Sequence, residues 1–232
     1  MTLSLTPRPR NFPARLDAAI FDFDETIIDL EAQHTAAAAM LCRDYGSDYL
    51  EMPEEFRHGS GRRVIDDIRD LREYFGWSAT LDQLAAVRLD HFDEACRSGP
   101  LALMPGVERA IRTLKDAGVP LAITSSAVRS SIEAILERFD LRKDLALIVD
   151  GSEVAQPKPH PEPYLVTASK LRAEPANCLV FEDSSVGVVS AKDAGMCCVA
   201  VRNPRALSLQ DLSAADLVVE SFDAITFART GR

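Results

Sequence analysis

Four polar stretches in this sequence combine residue types that could do chemistry together, and each one comes after an apolar run. In chain order they are Asp22-Phe23-Asp24, Thr124-Ser125-Ser126, Lys158 and Glu182-Asp183. If the four acids meet at one place, they repel one another strongly, so they can all stay ionised only around a cation. Carboxylate oxygens favour Mg²⁺ over zinc or copper. The residue types therefore predict a Mg²⁺ site.

The same residues suit the transfer of a phosphoryl group. A carboxylate-bound metal ion with open positions accepts phosphate oxygens, and Lys158 and the Thr124 hydroxyl suit the same tetrahedral anion. One carboxylate that is left to attack phosphorus would form an acyl phosphate, while a second would act as acid and then as base. We therefore expect phosphoryl-transfer chemistry from the residue types.

Each stretch taken alone also has an ordinary structural explanation. Asp22-Phe23-Asp24 could be the polar edge of a loop, and Glu182-Asp183 could cap a helix together with Ser184. Thr124-Ser125-Ser126 has the composition of a turn, and Lys158 alone would be a solvated loop lysine. Their joint occurrence, in order and each after a buried run, favours one shared site.

Short apolar runs predict the elements that must position these residues. Six runs read as buried parallel strands, the last of them as an edge strand: 18–21, 121–123, 146–149, 178–181, 197–201 and 217–219. Helical patterns separate the later runs: 105–115, 128–139, 161–171 and 186–194. This alternation predicts an α/β fold, a doubly wound and mostly parallel Rossmann-like sheet with helices on both faces.

The interval between the first two runs departs from this alternation of strands and helices. It holds no strand pattern, and three amphipathic helices are predicted in it: 31–45, 62–75 and 81–96. The economical interpretation is a small all-helical cap domain, residues 29–103, inserted after the first strand of a core formed by 1–28 and 104–232. In open α/β sheets, ligands bind at the carboxyl ends of the strands.

Composition excludes several classes of protein. The chain has 232 residues with 47% apolar residues, and its 26 Lys and Arg against 36 Asp and Glu give a net charge of −10. An acidic surface repels phosphate backbones, so we expect no nucleic-acid partner. The apolar runs fall far short of the ~20 residues of a membrane span. The five scattered cysteines predict reduced core thiols and a cytoplasmic protein. A monomer is plausible, and the sequence leaves the oligomeric state open.

Four motifs resemble those of a known superfamily. They are FDFDETIID around Asp22, AITSSA around Thr124, QPKPHPEPYL around Lys158 and VFEDSSVGVVSAKDAGM around Asp183. In this order they look like the haloacid dehalogenase superfamily, in the subgroup of β-phosphoglucomutase-like proteins and small-molecule phosphatases. The resemblance extends from about residue 18 to residue 201.

The resemblance implies a role for each motif residue. Asp22 would be the nucleophile that becomes phosphorylated, and Asp24 the general acid/base, whose backbone carbonyl joins the metal shell. Thr124 and Lys158 would act on the transferring phosphoryl group. The implied Mg²⁺ ligands are Asp22, Asp24, Glu182 and Asp183.

The resemblance also implies residues on the substrate side. Ser125 and Ser126 would bind substrate beside the second motif. His34 stands where similar sequences carry a histidine on the first cap helix, and Arg62 belongs to a stretch that resembles the specificity loop. A helix-surface histidine without a role and a basic first helical turn are the competing interpretations. Arg129 could also face the pocket.

Two further residues of the first motif carry information: Asp24 on the subclass and Glu25 on the loop. True dehalogenases of this superfamily lack an acid at the position of Asp24, which argues against carbon–halogen cleavage. Glu25 stands where the commonest form of the motif has glycine, and we expect its side chain to face outward rather than to bind metal. The implied function is a Mg²⁺-dependent phosphatase for a small phosphorylated metabolite, with a sugar phosphate favoured. The alternatives are a phosphomutase and a binding module with an inactive site.

Overall fold

The computed structural model describes residues 2–53, 57, 64–203 and 211–230. The strands are β1 (Thr2–Thr6), β2 (Ala18–Phe21), β3 (Ile28–Asp29), β4 (Ala102–Leu103), β5 (Leu121–Thr124), β6 (Leu147–Val149), β7 (Cys178–Glu182), β8 (Cys197–Val201), β9 (Leu217–Val219) and β10 (Thr226–Thr230). The α-helices are α1 (Glu31–Asp44), α2 (Val64–Phe75), α3 (Leu81–Ser98), α4 (Val107–Asp116), α5 (Arg129–Arg138), α6 (Glu162–Leu171) and α7 (Ser185–Asp193).

A six-stranded parallel sheet forms the centre of the first unit, in the order β6-β5-β2-β7-β8-β9. Adjacent strands are all parallel, with Phe21 opposite Ile123 on one side and opposite Phe181 on the other. The side chains of β2, β5, β7 and β8 are buried throughout, as expected for strands covered on both faces. The predicted α/β fold is confirmed.

Alternate side chains of the central strands pack on different layers. Ile20, Val180 and Cys198 share a buried cluster with Tyr164 of α6 and Val188 of α7. Their neighbours in sequence point to the opposite face, where the rings of Phe21 and Phe181 stack with centroids 4.8 Å apart and Phe222 lies against both. Gly195 follows α7 with a φ of 77°, a left-handed conformation that suits glycine at a helix C-terminus.

This strand order determines where the polar motifs lie. β2 is flanked by β5 and β7, and parallel strands present their carboxyl ends at one edge of the sheet. The residues that follow β2, β5 and β7 are Asp22, Ser125 and Asp183. The sheet therefore brings three of the four motifs to one edge.

The described residues divide into two units. Residues 2–28, 103–203 and 211–230 form the first unit, and residues 29–53, 57 and 64–102 form the second. In the second unit α1, α2 and α3 enclose a separate apolar cluster that includes Leu41, Leu71, Trp77 and Leu84. Thr80 begins α3 with a capping box, since its hydroxyl accepts from Gln83 N and the Gln83 side chain accepts from Thr80 N.

Several further properties follow from the described residues. In that part of the chain, no helix combines the length and the apolar character that a membrane crossing requires. All five cysteines are buried free thiols, as predicted: Cys42, Cys96, Cys178, Cys197 and Cys198. Burial raises the pKa of Cys42, Cys178 and Cys197 to about 12. β1 and β10 pair in an antiparallel two-stranded sheet that the sequence patterns did not predict.

Asp216 lies directly before β9 and stabilises the edge of the sheet that β8 and β9 form. Its carboxylate accepts from Lys192 Nζ at 2.5 Å, from Cys198 N at 2.8 Å and from Asn11 Nδ2 at 2.6 Å. Burial alone would raise the pKa of Asp216, but these hydrogen bonds outweigh burial and lower it. A carboxyl group with a lowered pKa stabilises the fold above its unfolded-state pKa of about 3.9, and this contribution disappears as the pH falls through the folded-state pKa.

We therefore expect Asp216→Asn to reduce the free energy of unfolding by about 2 kcal/mol at pH 7, because it removes charge-assisted hydrogen bonds. Below the folded-state pKa the difference from the unmodified protein should vanish. Urea unfolding at pH 7 and in acid measures both values. Asp140→Asn, at an exposed carboxylate paired with Lys143, is the matched control and should change neither. A deficit of Asp216→Asn that persists unchanged in acid would contradict the ionic explanation.

Candidate active site

A buried lysine joins two carboxylates at the carboxyl edge of the sheet. Lys158 Nζ lies 2.6 Å from Asp22 Oδ1 and 2.6 Å from Glu182 Oε1, and it donates to the carbonyl of Thr124 at 3.2 Å. The Lys158 side chain is only 7% exposed. All four predicted motifs are thus in direct contact, although Asp22 and Lys158 are 136 residues apart in sequence.

The loop that carries Lys158 is held by polar contacts at both ends. The Glu162 carboxylate accepts from Ala155 N at 2.7 Å and from Gln156 N at 3.1 Å. On the other side of Lys158, Ser190 Oγ donates to the carbonyl of His160 at 2.7 Å. These contacts fix the proline-rich loop against α6 and α7, so the lysine reaches the sheet edge from a defined position.

Glu182 is fully buried and its carboxylate is surrounded by donors. Oε1 accepts from Lys158 Nζ and from Tyr164 Oη, the latter at 2.6 Å. Oε2 accepts from the backbone N–H groups of Asp183 and Ser184, both at 3.1 Å, and from Ser184 Oγ at 2.9 Å. Burial alone would raise the pKa of Glu182, but Lys158 and these hydrogen bonds hold it below its ordinary value.

The pKa of Asp22 is shifted in the opposite direction to that of Glu182. Burial raises the pKa of Asp22 to about 8, Lys158 opposes this change, and the charges of Glu182 and Asp24 add to it. Burial would lower the pKa of Lys158, but the two carboxylates keep it above its ordinary value. One ammonium group is shared by two acids, so the two carboxyl groups titrate as a coupled pair, with the pKa of Asp22 raised and that of Glu182 lowered.

The residues fit a divalent cation. Asp22, Glu182 and Asp183 each offer a carboxylate oxygen, and these oxygens lie within 4.8 Å of one another in buried positions. The one positive charge of Lys158 neutralises only part of their negative charge, and oxygen ligands suit Mg²⁺. Because the Glu182 oxygens already accept five hydrogen bonds, Asp22 and Asp183 are the better ligands. Thr26 Oγ1 holds Asp183, donating to its Oδ1 at 3.3 Å.

Asp24 lies two residues beyond Asp22 and is half-buried. Its backbone forms an isolated bridge with Ile28. Among the described residues, the Asp24 carboxylate is not one of the clustered metal-ligating groups. A place for the Asp24 carbonyl in the metal shell stays a prediction. The side chain is therefore a candidate acid/base next to the cluster.

The structure does not place the Thr124 hydroxyl as the sequence suggested. Thr124 is fully buried, and its Oγ1 lies 2.6 Å from Thr167 Oγ1 of α6. Thr167 donates its own proton to the carbonyl of Pro163 at 2.8 Å, so the Thr124 hydroxyl is the donor to Thr167. Thr124 instead meets Lys158 through its carbonyl. The physical reason is the strand geometry, which directs the Thr124 side chain toward α6.

The hydroxyl of Ser125, the residue after Thr124, can donate a hydrogen bond. Ser125 is at the carboxyl end of β5, and its Oγ accepts from Ala127 N at 2.9 Å. Ser125 N donates to the carbonyl of Val149 at 3.0 Å, which fixes the backbone beside β6. Ser126 is exposed at the same edge. Within this loop the structure favours Ser125 over Thr124 as the hydroxyl donor.

Arg129 is engaged by the protein itself. Its Nε lies 2.8 Å from Asp150 Oδ2, and its Nη2 contacts Glu153 and donates to the carbonyl of Ile148 at 2.8 Å. These contacts tie the start of α5 to the loop that follows β6. Since the guanidinium is occupied by these partners, the structure gives Arg129 a structural position rather than the pocket-facing one considered above.

His34, one of the two predicted substrate residues of the helical insertion, lies in the second unit. The His34 ring stacks on Phe92 with centroids 4.5 Å apart, and Arg88 Nη2 lies 3.2 Å from His34 Nδ1. Because arginine can only donate, Nδ1 is the acceptor and the ring proton is on Nε2. Burial lowers the pKa of Arg88 to about 10, and the charge of Asp67 opposes this change. Arg62 lies outside the described residues.

Sequence reasoning missed the residues that support the cluster. Tyr164 and Ser184 hold Glu182, Thr26 holds Asp183, and Thr167 holds Thr124. A signal existed for Thr26 and Ser184, because Ser184 directly follows Asp183 and Thr26 lies two residues after Asp24. Tyr164 and Thr167 lie one helical turn apart on α6 and only show their role once α6 packs on β5 and β2.

Glu25 was expected to face outward but is buried and bonded to Asn203, because its backbone turns the side chain inward.

Gly187 leaves the space that Glu182 needs. A Cβ atom at Gly187 of α7 would overlap the carboxylate of Glu182. We therefore expect Gly187→Ala to displace that carboxylate from Lys158, to destabilise the protein by about 1–3 kcal/mol and to lower turnover at least about tenfold. Steady-state kinetics and urea unfolding measure the two effects. Val189→Ala, at an exposed position of the same helix, is the control and should retain activity; equal behaviour of the two variants would contradict the steric argument.

Comparisons with known proteins agree with this geometry. The haloacid dehalogenase-like hydrolase family matches residues 16–195. Protein CbbY of Cupriavidus necator is 32% identical over 216 residues, which are 88% of this chain and 84% of that protein. Hexitol phosphatase B of Escherichia coli is 29% identical over 216 residues, covering 92% and 96% of the two chains.

A solved structure supports the fold. The crystal structure of β-phosphoglucomutase from Clostridium difficile superposes with a TM-score of 0.75 at 23% identity, and the match covers 90% of this chain and 92% of that one. The resemblance predicted from the four motifs is therefore confirmed. The chain belongs to the haloacid dehalogenase-like hydrolase family.

Proposed function

We propose that this protein is a Mg²⁺-dependent phosphatase that hydrolyses a small phosphorylated metabolite, a sugar phosphate in the first place, through a phospho-aspartate on Asp22. The observation that carries the proposal is the contact of Lys158 Nζ with both Asp22 and Glu182 at 2.6 Å, beside the carboxylate of Asp183. This arrangement supplies a nucleophile, a fixed positive charge and carboxylate ligands at one edge of the sheet. The all-helical insertion, predicted as residues 29–103, is proposed to act as the cap.

Asp22 carries the covalent step. One of its carboxylate oxygens attacks phosphorus, the ester P–O bond breaks, and the phosphoryl group is transferred to Asp22 as an acyl phosphate. Bound Mg²⁺, held by Asp22, Asp183 and the Asp24 carbonyl with Glu182 beside them, would neutralise charge on the phosphoryl oxygens. Lys158 keeps the Asp22 carboxylate in place and adds a fixed positive charge.

Asp24 acts first as the general acid and then as the general base. In the first half-reaction its carboxylic acid protonates the departing alkoxide, and in the second its carboxylate takes a proton from the water that attacks the acyl phosphate. Phosphate leaves, and the carboxylate of Asp22 is restored. The Ser125 hydroxyl is proposed to donate to a phosphoryl oxygen, since its oxygen already accepts from Ala127 N.

The substrate side of the proposal concerns the second unit. His34 would present an N–H donor from Nε2, because Arg88 occupies Nδ1. Arg62 and Ser126 are further candidates for substrate contacts. A sugar phosphate as substrate is supported by the similarity to hexitol phosphatase B over 92% of the chain. The buried free thiols support the cytoplasm as the proposed compartment.

Hydrolysis of p-nitrophenyl phosphate, with and without Mg²⁺, tests the chemistry. We expect turnover with Mg²⁺, its loss with a chelator, and restoration by added Mg²⁺. A panel of sugar phosphates then identifies the substrate class. Absence of turnover on the aryl phosphate and on the whole panel, with Mg²⁺ present, would refute the proposed phosphatase and favour a binding module.

Asp24→Asn gives a sharper test of the two half-reactions. The nitrophenolate leaving group needs no acid, so this variant should still transfer the phosphoryl group to Asp22. Without its base, the acyl phosphate should then break down slowly. We expect a burst of about one nitrophenolate per active site and then turnover reduced about 10²–10⁴-fold. A linear time course without a burst, at normal turnover, would contradict the assignment.

The phosphomutase alternative is separated by product analysis. With glucose 1-phosphate as substrate, a phosphatase releases inorganic phosphate in proportion to the substrate consumed. A phosphomutase forms the isomeric sugar phosphate and releases little phosphate. We expect phosphate as the main product.

A further inference from the structure

The catalytic loop contains a residue in a conformation that amino acids other than glycine rarely adopt. Glu25 has a φ of 61°, in the left-handed region. For residues with a Cβ atom this region is strained, and it persists only where the surroundings hold it. Glu25 is also 97% buried, with an exposed fraction of 3%. A buried glutamate in a left-handed turn therefore needs a specific contact that keeps it there.

Asn203 provides such a contact. Its Nδ2 donates to Glu25 Oε2 at 2.6 Å, although the two residues are 178 positions apart. Asn203 follows β8 by two residues and is itself buried. The residue that follows β8 by two positions thus holds the side chain of Glu25 by a short, buried hydrogen bond.

The conformation of Glu25 determines the course of the loop on which the chemistry depends. Glu25 N donates to the carbonyl of Ile28 at 2.8 Å, and Ile27 N donates to the carbonyl of Phe23 at 2.9 Å. These two bonds close a tight turn directly after Asp22 and Asp24. If Glu25 relaxed to negative φ, the turn would open and Asp24 would lose its place next to Asp22.

We propose that Asn203 is a positioning residue: it holds Glu25 in the left-handed conformation and thereby fixes Asp24 relative to Asp22. The pair achieves through a side-chain hydrogen bond what glycine achieves through its backbone alone, because glycine adopts positive φ without strain. The inference rests on the proposed roles of Asp22 and Asp24. It goes beyond them by assigning a function to a residue at the end of a different strand.

A double-mutant cycle at positions 25 and 203 tests the inference. With Glu25 present, Asn203→Ala should lower kcat for p-nitrophenyl phosphate about tenfold, because the strained turn loses its restraint. Glu25→Gly should retain kcat within about threefold of the unmodified enzyme, because glycine keeps the turn. In the Glu25→Gly background, adding Asn203→Ala should change kcat less than about twofold. KM should stay nearly constant throughout, since Lys158 and Ser125 are untouched.

The cycle distinguishes positioning from a general loss of structure. Asn177→Ala removes a similar hydrogen bond, from Asn177 Nδ2 to Asp17 Oδ2 at 3.0 Å, and should leave kcat unchanged. Equal losses of kcat from Asn203→Ala in both backgrounds would overturn the inference, as would full activity of Asn203→Ala alone. If Asn203→Ala unfolds, the small effect expected in the Glu25→Gly background remains measurable, and unfolding there as well would also overturn it. Failure of the proposed function is recognised separately, as an unmodified enzyme without activity.

Discussion

Replacing Asp22 with asparagine is expected to reduce turnover by about 10⁴-fold or more, because the amide cannot attack phosphorus and no acyl phosphate forms. The substitution keeps the shape of the side chain, and Lys158 retains Glu182 as a partner at 2.6 Å. The variant should therefore fold. Steady-state hydrolysis of p-nitrophenyl phosphate measures the loss, and mass spectrometry of the quenched enzyme should find no phosphorylated protein.

Asp223→Asn is the matched control for this experiment. Asp223 is an exposed carboxylate in the same unit, paired with Arg109 at 3.0 Å and remote from the motif residues in sequence. Its turnover should equal that of the unmodified enzyme. Substantial turnover by Asp22→Asn, with a folded protein shown by circular dichroism, would exclude Asp22 as the nucleophile.

Replacing Lys158 with methionine should lower both turnover and stability. The apolar stem is kept, but Asp22 and Glu182 lose their shared counter-ion in a buried place. We expect kcat to fall about 10²–10³-fold, as when a preorganised stabilising group is removed. The free energy of unfolding should fall by about 3 kcal/mol, because a buried carboxylate remains without its partner.

The pH dependence of this destabilisation has a definite sign. In the unmodified protein the pKa of Glu182 is lowered, so its ionised form stabilises the fold above the unfolded-state pKa and this contribution is lost in acid. Without Lys158 this contribution is smaller, because only the hydrogen bonds from Tyr164, Asp183 N and Ser184 remain to stabilise the ionised form. The difference in unfolding free energy should therefore be largest near neutral pH and shrink as the pH falls. Urea unfolding across this range measures it, and a constant or growing difference in acid would contradict the assignment.

Lys170→Met is the control for Lys158→Met. Lys170 contacts Glu153 at a position where its side chain is 43% exposed. Exposed ion pairs contribute less than about 1 kcal/mol, so stability and turnover should both stay close to those of the unmodified enzyme. A large loss of activity in this control would show that lysine charge in general, rather than the place of Lys158, governs turnover.

Much of this architecture was predictable because parallel strands leave a strong local signal. Strands buried on both faces read as short continuous apolar runs, and all six strands of the central sheet fall on such runs. Strands and helices alternate from β5 to β8, which predicts parallel crossovers. The polar residues directly after β2 and β7 then fall at one edge by topology alone. That is why the contact of Lys158 with Asp22 follows from the sequence once the loop before α6 is placed.

What escaped prediction depends on contacts between distant parts of the chain. β1 and β10 pair across the whole length of the sequence, and the pattern before β2 was dominated by prolines. The Thr124 hydroxyl is determined by α6 packing on β5, which no local pattern encodes. Glu25 was expected to face solvent because glutamate usually does so. Its side chain is instead buried and hydrogen-bonded to Asn203, a residue that lies after β8 and belongs to none of the four motifs.

The buried thiols make the folded protein a poor target for alkylating reagents, because the thiolate is the reactive form and burial keeps the pKa of Cys42 and Cys197 at about 12. Iodoacetamide should therefore modify each cysteine only when the surrounding structure opens. Cys42 and Cys96 report on the helical unit, while Cys178, Cys197 and Cys198 report on the sheet. Peptide-resolved labelling rates would accordingly reveal which of the two units opens first under mild denaturant, without any engineered probe.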